Sequence, residues 1–157
     1  CHSHISYALI SWGHSSHATR IFGLQRKVLR IIARKGFRDD VKQTFVDWQI
    51  LTYPSLYMYN CMLCGKASDN YITNSDIHDY QTRLRNDIRI DFLRLKSSQF
   101  SLNYHSKIFL NKLPDNILAL PYNQFKNTLK NFFLRQPFYH INEYINFKFS
   151  NHSFSVP

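Results

Sequence analysis

The side chains best equipped to do chemistry in this chain are cations. Arg20, Arg26, Lys27, Arg30 and Arg34 fall within the run Ala18 to Lys35, ATRIFGLQRKVLRIIARK, and Lys35 closes it. No carboxylate lies among them. A solvated structural helix usually mixes both signs, because opposite charges four residues apart support it. A row of one sign is suited to meeting something negative, and phosphate is the commonest such partner. A second group, His78, Tyr80, Thr82, Arg83 and Arg85, combines imidazole, phenol, hydroxyl and guanidinium. Those groups contact phosphates and stack on unpaired bases. The competing reading is a loop latched to the core, with Arg83 pairing Asp79 or Asp87. Lys107, Lys112, Lys126 and Lys130 extend a phosphate-tracking surface, unless they are simply solvated.

Other candidates are weaker. Two-metal phosphoryl chemistry needs clustered carboxylates to hold metal ions about 4 Å apart, and the only adjacent acids are Asp39 and Asp40. Helix N-capping accounts for that pair. Cys61 and Cys64 have the spacing of half a zinc site, but His78, His105 and the histidines near Cys1 complete it with no convincing spacing. One turn apart on an apolar helix, the two thiols read as small core hydrophobes. His2, His4, His14 and His17 cluster at an exposed beginning. No nucleophile motif and no Gly-rich phosphate loop stands out among four scattered glycines.

These groups must be positioned by helices. In the basic run, at roughly 100° per residue, Ile21, Leu24, Val28, Ile31 and Ile32 share a sector about 100° wide. Phe22 and Leu29 extend it, and the cations gather opposite. The spacing predicts a helix capped at Ser15 or Ser16, with the aliphatic sector on the core, ending near Gly36. A short apolar helix precedes it over 6–13. Asp39 or Asp40 caps a second helix, with Val41, Phe45 and Trp48 inward. A third begins near Pro54 and, apolar almost all round from Leu56 to Leu63, reads as the central buried helix. The alternation over 87–96 predicts a short extended segment. Helices follow from Tyr104 to Leu113, stopped at Pro114, and from Asn123, striped by Phe125, Leu129, Phe132 and Phe133. Pro137 breaks the latter, and a short aromatic helix runs through Phe147.

The expectation is a mainly α, small multi-helix domain of five or six helices. It covers 1–147 as a single domain cut at its beginning, with a frayed tail over 148–157. The chain has 157 residues, 44% hydrophobic and 16% aromatic, which is far from a disordered composition. Lysine and arginine number 20 against 10 acids, giving +10 and a pI near 9.7. Eight of those cations lie from Arg20 to Lys42, opposed only by Asp39 and Asp40. This points to RNA or DNA and away from a membrane, since the core claims the apolar faces. No run approaches the roughly 20 apolar residues of a bilayer span, and no signal peptide is visible. Three cysteines disfavour a disulfide framework and favour an intracellular protein with reduced thiols.

Three stretches carry a family resemblance. They are Tyr7 to Gly13 with His17 to Ile32 (YALISWG and HATRIFGLQRKVLRII), then His78-Asp-Tyr80-Gln-Thr82-Arg83, and then Tyr104 to Pro114 with Phe125 to Lys130. The second resembles an H-x-Y-x-T-R run, and the third a K-x-x-N-x-L-P … F-K-x-x-L-K ending. In this order and spacing, from Tyr7 to Tyr144, the chain resembles the region after the polymerase core in jockey-type non-LTR retrotransposon reverse transcriptases. The resemblance implies a parent that is an RNA-directed DNA polymerase using Mg2+. It places Asp39-Asp40 downstream of the catalytic aromatic-x-Asp-Asp turn. This piece would then be a fragment with no cofactor or catalytic residue of its own, beside a missing upstream polymerase domain. It would hold RNA or DNA by its basic helix, or serve as a structural remnant docking that core.

Overall fold

The computed structural model describes residues 7, 9–15, 17–68, 71–95, 101–149 and 154. It is mainly helical. The described residues form α1 (Leu9–Trp12), α2 (Ala18–Ile32), α3 (Lys42–Asp47), α4 (Tyr53–Ser68), a 3-10 turn (Asn74–Asp76), α5 (Leu102–Asn111), α6 (Asp115–Leu118), α7 (Tyr122–Arg135) and α8 (Ile141–Asn146). The short helix expected over 6–13 is α1, and the one-turn α6 is a piece the sequence did not predict.

α4 is the axis. Every residue from Tyr53 to Met62 except Asn60 is buried, as its all-round apolar sequence requires. α1, α2, α5, α7 and α8 pack around it. Its beginning is set by Thr52, whose hydroxyl accepts from the Ser55 N–H at 3.3 Å and donates to the Phe138 carbonyl at 2.6 Å. The Phe138 N–H in turn donates to the Ser55 hydroxyl. One buried cap therefore fastens α4 to the segment after α7. At its other end α4 approaches α5 so closely that a Cβ on Gly65 would meet Tyr71, Leu110 and Ser106.

α7 buries Phe125, Leu129, Phe132 and Phe133, as its spacing predicts. Phe132 and Phe133 form one aromatic cluster with Phe138, Tyr144 and Phe147. The Tyr144 hydroxyl crosses to donate to the Phe109 carbonyl on α5 at 3.0 Å. From the tail expected to fray, Phe149 packs tilted at 5.5 Å from Phe132 and Phe154 stacks on it at 4.7 Å. At those two points the tail is held by the core.

Several expected boundaries move. α2 ends at Ile32, and its left-handed residue is Arg34 (φ 52°), not Gly36. The Lys35 N–H reaches the Arg30 carbonyl and the Arg34 N–H that of Ile31, a Schellman closure. Gln49 (φ 51°) closes α3 the same way, and Trp48, expected inward, is 42% exposed. α2 starts after His17 with no side-chain cap; Ser16 lies outside the described residues. α7 starts at Tyr122 behind Pro121, one residue before the expected cap Asn123. Over 87–95 no strand forms among the described residues. A single antiparallel bridge joins Thr73 and Ile88, and Phe92 is 95% exposed; residue 96 lies outside the description. Alternation needs a partner strand to become a sheet, and none is supplied. No helix among the described residues is long and apolar enough to cross a membrane.

Candidate nucleic-acid interface

α2 is rotated relative to its expected orientation. Phe22 and Leu29 are buried, while Leu24, Ile31 and Ile32 are 61 to 67% exposed and Val28 also faces out. The aliphatic sector lies outside by about one residue position, roughly 100°. The reason is Gln25. Its amide donates to the Leu51 carbonyl at 2.9 Å and accepts from the Tyr53 N–H at 2.8 Å. A side chain that satisfies both peptide groups at the entry to α4 has to face inward, and the flanking turns follow it. A lone glutamine between Leu24 and Arg26 gave no sequence signal of this.

That rotation divides the cations. Arg26 is drawn in: its guanidinium carbon lies 4.8 Å from the Phe22 ring centre and 5.7 Å from that of Tyr139. Its Nε is buried with no hydrogen-bond partner among the described residues. Arg30 donates to the Asp39 carbonyl at 2.9 Å, and Lys35 to the Asp40 carbonyl at 3.2 Å. These three, expected on a free outer face, anchor the fold. Arg20 and Lys27, two turns apart, stay exposed on the outer side of α2, with Arg34 exposed just beyond its end. They border the exposed aliphatic sector.

Asp39 and Asp40 do turn work. Asp39 accepts from the Gly36 N–H at 2.7 Å. Asp40 accepts from the Lys42 N–H at 3.0 Å and from the Tyr139 hydroxyl at 3.2 Å. The Lys42 N–H above all holds the Asp40 carboxyl below its usual range. Burial, with Asp40 beside it, pushes the Tyr139 phenol up to about 12.

The second group folds as an exposed loop. Around the 3-10 turn, Asp76 accepts from the Thr73 N–H at 2.7 Å, which holds its carboxyl low. Asn74 donates to the Leu84 carbonyl, and the Ser75 N–H to that of Arg85. This return brings His78, Tyr80, Thr82 and Arg83 around one shallow hollow, with the His78 and Tyr80 rings 6.4 Å apart. All four are exposed. Arg85, not Arg83, meets Asp79, at 3.5 Å. The loop is anchored on α5, whereas α2 is anchored on α4. Lys107 is taken by Asp91 at 3.2 Å and is not a free phosphate contact; Lys112, Lys126 and Lys130 are exposed.

Cys61 is fully buried, and burial pushes its thiol up to about 12, the state of an inert core residue. Cys64 is half-buried. Among the described residues no three His, Cys, Asp or Glu side chains group as metal ligands. Of the early histidines, His14 lies with its ring 6.4 Å from that of His105 and His17 is exposed; His2 and His4 fall outside the description.

Comparison with protein-family models, curated proteins and solved structures finds no match to this chain.

Proposed function

We propose that this chain is the portion following the polymerase core of a jockey-type non-LTR retrotransposon reverse transcriptase. In this reading it binds RNA or DNA backbone without catalysing a reaction itself. The family assignment rests on the ordered resemblance of the three stretches, and a reading frame continuing upstream into an aromatic-Ala-Asp-Asp core would test it directly. One observation supports the binding role above others. Arg20, Lys27 and Arg34 are exposed on and beside a helix that contains no carboxylate, in a chain of net charge +10. The mechanism is phosphate neutralisation with counterion release, independent of sequence and steeply weakened by salt. Fluorescence anisotropy of a labelled mixed-sequence strand across a salt series tests it. Affinity falling linearly in log–log form supports the reading, and salt-independent binding or none refutes it.

A second reading is favoured by the exposed aliphatic sector. Leu24, Val28, Ile31 and Ile32 outside one helix form an apolar patch of the kind that marks a protein contact. It suits a dock to the upstream polymerase domain. In the isolated chain it would drive self-association insensitive to salt and RNA, relieved by Leu24→Ser with Ile31→Ser.

A further inference from the structure

Four aliphatic side chains, Leu24, Val28, Ile31 and Ile32, stand exposed along the outside of α2. Their spacing of i, i+4, i+7 and i+8 puts them within one stripe roughly 60° wide. Single exposed aliphatics are ordinary on a protein surface, whereas a continuous stripe marks a contact. We propose that this stripe docks an amphipathic helix of a partner protein that carries carboxylates along one edge of its own apolar face. The inference rests on the protein-contact reading above and names the chemistry of that partner.

Spacing gives the shape of the partner. Leu24, Val28 and Ile31 are four and then three residues apart, the d, a, d order of a coiled-coil seam. Such a seam receives the side chains of a second helix, and anchors at i, i+4 and i+7 serve helix recognition in the same way. From Arg20 to Ile32 the face is roughly 18 Å long, so three to four turns of a partner helix cover it. One edge of the stripe is closed by the fold itself. There Ile21 packs against the core and Gln25 points inward to Leu51 and Tyr53.

Charge fixes the chemistry of the other edge. With Val28 at a and Leu24 and Ile31 at d, Arg20 and Lys27 occupy successive g positions, and both are exposed. Among the described residues no ion pair engages either of them. Arg34, exposed just past the end of α2, continues the row. Residues at g face the flanking positions of a partner helix, where carboxylates are attracted and cations repelled. A second copy of α2 brings no acid to that edge, because the helix contains none. An acidic amphipathic helix satisfies the stripe and its cations together.

The test titrates the whole chain into two labelled three-heptad peptides with Leu at a and d, one carrying Glu at e and g and the other Lys. Sedimentation of the chain alone and with phosphatidylserine vesicles accompanies it. The Glu peptide is expected to bind at least about tenfold tighter than the Lys peptide at low salt, and added salt narrows the gap. Arg20→Gln with Lys27→Gln shrinks the preference, and Leu24→Ser with Ile31→Ser abolishes binding of the Glu peptide. These four side chains are exposed, and unchanged melting temperatures establish that the variants fold. Equal affinities for the two peptides, or self-association through Leu24 and Ile31 with neither peptide bound, overturn the acidic partner and leave the protein-contact reading standing. A preference undiminished by R20Q with K27Q overturns it, and so does Glu-peptide binding that survives L24S with I31S, which rests on charge alone. Vesicle binding with neither peptide bound gives the stripe to a lipid surface and overturns it too. Absence of all three kinds of association removes the protein-contact reading, and this inference with it.

Discussion

Asn111 holds Ile88 by both ends of its peptide. Its Oδ1 accepts from the Ile88 N–H at 2.8 Å, and its Nδ2 donates to the Ile88 carbonyl at 2.7 Å. The amide acts as the partner strand that the segment after residue 87 lacks, and it fixes the loop of His78 to Arg85 onto α5. This gives Asn111 and Lys107, two residues of the stretch from Tyr104 to Pro114, a structural role: one clamps Ile88, the other pairs Asp91. Leu113 of that stretch is buried, and Pro114 leads into α6.

Asn111→Ala removes both bonds and strands a part-buried peptide. It is expected to destabilise the fold by about 1–3 kcal/mol. Limited proteolysis should then cut first within 72–91, and an unchanged cleavage pattern would contradict the clamp.

Two glycines should respond in opposite directions to the same change. Gly65→Ala forces a methyl against Leu110 and Ser106 where α4 meets α5, and overpacking of this kind destabilises by about 1–3 kcal/mol. Gly23→Ala, in the open middle of α2, should stabilise by roughly 0.5–1 kcal/mol through helix propensity. Urea midpoints of the two variants measure both.

Stability should fall with acid below neutrality through His105. Burial first, then the nearby His14, hold this imidazole below its ordinary 6.5. The Tyr57 phenol, raised chiefly by burial, stays protonated and shares a 2.7 Å hydrogen bond with Nδ1 of the ring. The unfolded chain therefore binds the proton more readily than the folded one. The contribution is full above the unfolded value and is lost as pH falls from there towards the folded value. Urea midpoints from about pH 7.5 down to 5 should decline, and His105→Gln should flatten the decline.

Much of the fold was legible because it depends on pattern. The all-round apolar run at Leu56 marked the buried axis, and Phe125, Leu129, Phe132 and Phe133 marked the inward stripe of α7. The site was less legible because it depends on rotation and turns. Two hydrogen bonds, one donated by Gln25 to the Leu51 carbonyl and one accepted from the Tyr53 N–H, outweigh the aliphatic sector of α2 and turn it outward. Those partners are distant in sequence, and no periodicity encodes them. Arg26 and Arg30 read like Arg20 and Lys27 in the sequence. Only the placement of Phe22, Tyr139 and Asp39 separates anchors from free cations. Arg30→Gln should accordingly lower the melting temperature by freeing the Asp39 turn, whereas Lys27→Gln should leave it within error.

The most direct measurement is the salt slope of strand binding, log Kobs against log salt, for wild type and for Arg20→Gln, Lys27→Gln and Arg34→Gln combined. If these three exposed cations each neutralise a phosphate, the slope should fall by about 2 to 3 and affinity should weaken uniformly across sequences. A slope identical to wild type in a folded triple variant would contradict the account that this face of α2 holds nucleic acid.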